Sequence, residues 1–170
     1  MNAARVAARR PLISYLTIVA GALIALAALL GLFSVTTLGW LLPLGEIVLG
    51  ASLIVIAATV SLTLIARIAF WVGGIAWVVI GLISFVPQLG VLHTVAVILA
   101  LVASLVAGIF VFLRSTFARL GNLIYLIAMI IAALILLLAL LSAGLAVGAV
   151  LTLVFGAALI VAGVFILRNR

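Results

Sequence analysis

Apart from the chain terminus, only two side chains in this 170-residue sequence can exchange a proton between acid and neutral pH: Glu46, the sole acid, and His93, the sole histidine. Each stands 21 residues ahead of an arginine, Glu46 before Arg67 and His93 before Arg114. The same count back from Arg168 reaches Val147. This equivalence suggests one chemistry: a proton-sensitive pair at one face of a membrane, in which a histidine and a desolvated glutamate both answer to acid. The plainer alternative gives each a local role. Glu46 would sit in a first helical turn, where a carboxylate complements the helix dipole, and His93 would be interfacial and wet. One histidine and one carboxylate fall short of the three or four protein ligands of a zinc site, and there is no cysteine to add. No nucleophile, base and orienting group can be assembled either. The expectation is a chain without catalytic residues, metal or cofactor, and not an enzyme.

These two groups sit in a chain that is 72% hydrophobic and 5% charged. Soluble domains carry about 25% charged residues, and so few polar groups cannot cover this much apolar surface in water. The composition therefore requires an all-α integral membrane protein, read here as one membrane domain over residues 1–170. The net charge of +7 comes from eight arginines. They are scattered between apolar runs and form no stripe with aromatics, which argues against nucleic acid and for anionic lipid head groups as electrostatic partners. The opening MNAARVAARR imitates a signal peptide, but the apolar run behind it exceeds the 7–15 residues of such a segment. It reads as an uncleaved first span.

A helix rises 1.5 Å per residue, so a hydrocarbon core of about 30 Å takes about 20 residues. One helix from Glu46 to Pro87 would be about 60 Å long, twice that thickness. Two spans meeting near Arg67 fit, and they spare the arginine a position at the bilayer centre. The whole chain divides the same way into six spans, near 12–33, 46–66, 68–86, 91–113, 120–141 and 145–167. They pair as three tandem hairpins over about 11–67, 68–114 and 119–168. Six spans put Arg5, Arg9, Arg10, Arg67, Arg114, Arg119, Arg168 and Arg170 on one side and no arginine on the other. By the positive-inside rule both termini are cytoplasmic. Phe70, Trp71 and Trp40 suit interfacial aromatic belts. Thr59, Ser61, Thr63 and Ser104 read as packing residues that return their hydroxyls to the backbone, and Gln88 and Asn122 as caps or surface groups.

The three hairpins resemble one another. Six and ten residues before Arg67, Arg114 and Arg168 the side chains are small: Ser61 and Ala57, Gly108 and Ser104, Ala162 and Ala158. Small residues four apart let helix backbones approach closely. The middle hairpin, WVGGIAWVVIGLISFVPQLG…VAGIFVFLR, carries Trp71, Gly74, Gly81, Pro87 and Gly108. The first keeps Gly21 seven residues before Ala28, then Pro43, and the third has no proline. In these features the chain resembles the HdeD-like family of bacterial membrane proteins, built from tandem two-helix repeats. That resemblance implies an inner-membrane protein linked to acid resistance, and it supplies no catalytic residues. The leading expectation is thus a non-enzymatic six-span protein serving membrane stress or acid tolerance. A channel or carrier for a small neutral solute is an alternative, disfavoured by the lack of internal prolines and of midplane polar groups beyond hydroxyls. So is an accessory subunit that packs on itself or on a membrane-protein partner through its small-residue faces.

Overall fold

The computed structural model describes residues 3–35, 37–86, 90–113, 119–141 and 145–168. They form six helices and, among the described residues, no strand: α1 (Ala3–Leu32), α2 (Leu41–Thr59), α3 (Leu64–Ile83), α4 (Gly90–Leu113), α5 (Arg119–Leu140) and α6 (Leu145–Arg168). All six are long and apolar enough to cross a membrane. The protein is a multi-pass helical membrane protein.

Local chemistry sets the boundaries. After α1, Ser34 adopts a left-handed φ of 59°. The Val35 N–H reaches the Leu30 carbonyl at 2.9 Å and the Ser34 N–H the Gly31 carbonyl at 3.0 Å, a Schellman closure of the helix end. A serine here bears a left-handed penalty that glycine does not, so Ser34→Gly is expected to raise stability by about 1 kcal/mol, read from unfolding in mixed micelles. Helix α2 begins at Leu41, earlier than the expected residue 46. Pro43 lies in its first turn, where a missing N–H costs nothing because those donors have no partner inside the helix. Glu46 is therefore not in a first turn. At the far end Val60 is extended, and Thr63 caps α3 by accepting the Ala66 N–H at 3.4 Å. The break between α2 and α3 thus falls at residues 60–63, made by a cap without glycine or proline. Arg67 lies beyond it, exposed, in the first turn of α3.

Each helix packs on its chain neighbours, and α6 packs on α1, so the six close a ring. Two of the three contacts between successive hairpins are built on a crossed pair of glycines. Between α2 and α3, a Cβ on Gly50 would stand 2.5 Å from the Gly74 carbonyl oxygen, and one on Gly74 would stand 2.8 Å from that of Gly50. Between α6 and α1, Gly156 and Gly21 repeat the arrangement at 2.7 and 2.6 Å. Seven residues along, Gly81 lies against the Pro43 carbonyl and Gly163 against that of Ser14. The Ser14 hydroxyl donates to the Gly163 carbonyl and fastens the closing seam. The third seam, α4 on α5, has Gly108 against Met129. Backbones come this close only where no side chain intervenes, and dispersion then holds the helices together in lipid.

The expected small-residue pairs fare differently. Ser104 and Gly108 are buried on one face of α4, and Ala158 and Ala162 lie on α6, partly and fully buried. Ala57 is buried in α2, but Ser61 is exposed beyond the helix end, so those two do not share a helix face. The cause is the early stop of α2 at Thr59.

Candidate functional site

The ring has an interior, and its contents decide what the molecule can do. Phe70 and Trp77 are seven residues apart on α3 and both are buried. Phe70 meets Tyr125 of α5 with ring centroids 6.4 Å apart. Trp77 stacks on Phe155 of α6 at 6.2 Å. Neither α5 nor α6 packs on α3 through its backbone, so these aromatic pairs reach across the ring and fill it. The Trp77 indole N–H donates to the Ser104 hydroxyl of α4 at 3.2 Å, which fixes the ring plane. Ser104 is thus an acceptor for an indole. Removing that acceptor leaves a buried N–H unpaired. Ser104→Ala is expected to lower stability by about 1–3 kcal/mol, and Trp77→Phe in the same background to recover part of the loss. Phe70, expected at the interface, is instead wholly buried, because its face of α3 turns inward; Trp71 and Trp40 are exposed as expected. Asn122, expected as a cap or a surface group, is buried.

Glu46 occupies α2 on the face that carries Leu49, Leu53 and Ala57, all buried in the core. Its side chain therefore turns toward the ring interior. The residue is partly exposed, while its Oε2 is buried and has no hydrogen-bond partner among the described residues. Gly50 is the central residue of α2, so Glu46 lies about 6 Å from the helix midpoint at 1.5 Å per residue. The expected place in the first turn of a span is corrected accordingly: Glu46 lies in the second turn of α2. His93 does lie near an edge, in the first turn of α4, about 13 Å from that helix's midpoint. It too shares a face with buried residues, Val97, Ala100 and Ser104. The two groups occupy the same end of the ring at different depths, on helices that do not pack on one another.

The registers of the seams put further residues at the level of Glu46. Gly50 faces Gly74 and Pro43 faces Gly81, so Glu46 is level with Val78, one residue from Trp77. Gly45 lies against Leu23 and Ile24 of α1, and Gly21 of α1 faces Gly156 of α6. That chain of contacts puts Glu46 within about one residue of the level of Phe155. The sole acid and the stacked pair Trp77–Phe155 thus share one layer of the ring. Sequence reasoning named Glu46 and missed the aromatic pair at its level. The seven-residue spacing of Phe70 and Trp77 was the available sign that both face inward.

The arginines gather at the opposite end. Arg5, Arg9 and Arg10 lie in the first part of α1, ahead of and next to Pro11; Arg67 opens α3, Arg119 opens α5 and Arg168 ends α6. Arg114 and Arg170 lie outside the described residues, as do Pro87, Gln88 and Gly144. Gly148 has open space where a Cβ would point. No three metal-binding side chains come together among the described residues. Comparison with known proteins finds no family model, no curated protein and no solved structure that matches this chain.

Proposed function

We propose that this is a non-enzymatic inner-membrane protein of a bacterium, its arginine-bearing end in the cytoplasm, acting in membrane stress or acid tolerance. The filled ring supports it most directly. Phe70–Tyr125 and Trp77–Phe155 occupy the space a conduit would need, which favours a solid body in the bilayer over a channel or carrier. The acid-tolerance part rests on the resemblance to HdeD-like proteins and on Glu46 and His93 both turning inward at the end opposite the arginines.

Two experiments test the reading. For orientation, the cysteine-free chain allows single cysteines at Leu38 and Ser61, exposed at opposite ends. An impermeant thiol reagent should label Leu38→Cys in intact cells and Ser61→Cys only after permeabilisation; the reverse pattern overturns the orientation. For role, a deletion strain should survive acid challenge less well than its parent. The wild-type gene should restore survival and the double variant Glu46→Gln, His93→Gln should not. Equal survival of the deletion strain and its parent overturns acid tolerance. Protein-dependent flux of a neutral solute into liposomes would restore the carrier.

A further inference from the structure

We infer that the arginine-bearing end of the α1–α6 seam is a binding site for an anionic phospholipid, whose phosphate bridges Arg10 of α1 and Arg168 of α6.

The register of the seam brings these arginines together. Helices α1 and α6 run antiparallel, with Gly21 against Gly156 and, seven residues along, Ser14 against Gly163. Both contacts hold the backbones close, so each further step toward the start of α1 is matched by one toward the end of α6. Arg10 is thereby level with Leu167, and Arg9 with Arg168. Arg10 stands one turn before Ser14, on the face of α1 that meets α6. Arg168 is exposed in the last turn of α6. Three positive charges thus share one level of two touching helices, and their mutual repulsion opposes closure of the ring. The nearest carboxylate side chain is remote. Glu46 is the only one in the sequence, and with Gly45 against Leu23 and Ile24 it stands about 20 Å along the axis from Arg10. A phosphodiester supplies the missing negative charge and accepts paired N–H bonds from guanidinium groups of both helices.

The neighbouring surface favours an anion that carries acyl chains. Tyr15 lies five residues past Arg10, about 8 Å along α1, and is exposed. Val161 lies seven residues before Arg168, on the same face of α6, and is exposed at the level of Tyr15; Leu12 is exposed beside them. Side chains on a helix lean toward its N-terminus, so Tyr15 leans toward the arginines, its body apolar and its hydroxyl polar. Free phosphate would meet the charges and leave this apolar strip uncovered, whereas a phospholipid covers both. Basic clusters between spans are established places for anionic head groups. Arg67 lacks this setting, because α3 packs on neither α1 nor α6. Bound here, the lipid ties α1 to α6 and strengthens the seam that closes the ring. The site goes beyond the cellular role proposed above, and either can fail without the other.

Thermal unfolding of the purified protein in neutral detergent micelles tests it, with phosphatidylglycerol titrated against phosphatidylcholine at equal mole fraction. Phosphatidylglycerol should raise the midpoint saturably, by about 3 °C or more, and phosphatidylcholine should not. Arg10→Gln and Arg168→Gln should each weaken the apparent affinity about fivefold or more. Arg67→Gln removes the same charge from another seam and should keep the affinity within about twofold of wild type. Helical circular dichroism should match in all variants. A midpoint insensitive to phosphatidylglycerol, or raised equally by phosphatidylcholine, overturns the site. Equal affinities for Arg67→Gln and Arg168→Gln also overturn it, since a diffuse field would then account for binding. An equal rise with inorganic phosphate overturns the lipid as occupant. If Arg168→Gln lowers the midpoint by the same amount with and without phosphatidylglycerol, the arginine serves only the end of its own helix and the proposal fails.

Discussion

Trp77→Ala should be the most damaging truncation in the ring, costing about 3–5 kcal/mol against unfolding in mixed micelles. The indole is buried, stacks on Phe155 and donates to Ser104, so its loss empties space between three helices at once. The penalty here is chiefly lost dispersion, since lipid removes the usual drive of apolar burial. A graded series separates the contributions. Trp77→Phe keeps an aromatic face for Phe155 and forfeits only the hydrogen bond, and should cost about 1–2 kcal/mol. Trp71→Ala, six residues earlier on the same helix but exposed, should cost less than about 0.5 kcal/mol. If Trp71 and Trp77 proved equally sensitive, the interior would not be filled as described. Liposomes holding Trp77→Ala should leak a small neutral solute no faster than empty ones if Phe70–Tyr125 alone closes the ring, and faster if both layers are needed.

The second large effect is expected at the crossed glycines. A methyl on Gly50 would meet the Gly74 carbonyl oxygen at 2.5 Å, and backbone cannot swing aside as the tip of a side chain can. Gly50→Ala should therefore destabilise by about 1–3 kcal/mol, with a larger loss for Gly50→Leu. Gly21→Ala should behave alike, since its methyl would meet the Gly156 carbonyl at 2.6 Å. Gly31→Ala is the control: nothing lies within 4 Å of its Cβ, and alanine favours the helix by about 1 kcal/mol. The pattern to look for is coupling. Gly50→Ala and Gly74→Ala share one contact, so the second substitution should cost less once the first has parted the helices. Gly50→Ala and Gly21→Ala lie in different seams and should add. Additivity in both combinations would mean that the glycines are tolerated helix residues and not seams.

Much of this architecture can be read in the sequence because bilayer thickness is an outside ruler. Run length and the one-sided arginines are enough to divide the chain into six spans, and Arg67 falls within one turn of the break between α2 and α3, which has neither glycine nor proline. Boundaries yield less well. Pro43 looks like a loop residue until it is seen in a first turn, and that one displacement moves Glu46 from the first turn of its helix into the second. Ser61 fails as a packing residue for the matching reason at the other end of α2. The seams are half legible: Gly74 and Gly81 stand out by spacing, yet nothing in a sequence so rich in small residues says which glycine meets which. The cross-ring pairs are the least legible. Phe155 and Trp77 come together only because α6 returns to α1, a closure no local pattern records.

That closure also sets an order in time. The Ser14 hydroxyl and the Gly163 carbonyl it meets are 149 residues apart, nearly the length of the chain. Helix α1 thus presents Gly21 and Ser14 to a partner made long after it. Until α6 is synthesised, one side of α1 has no counterpart, and the aromatic pair that includes Phe155 has only half its members. Assembly of the interior must wait for α6, so a ribosome that stops before it leaves an open arc of helices with an unguarded glycine edge.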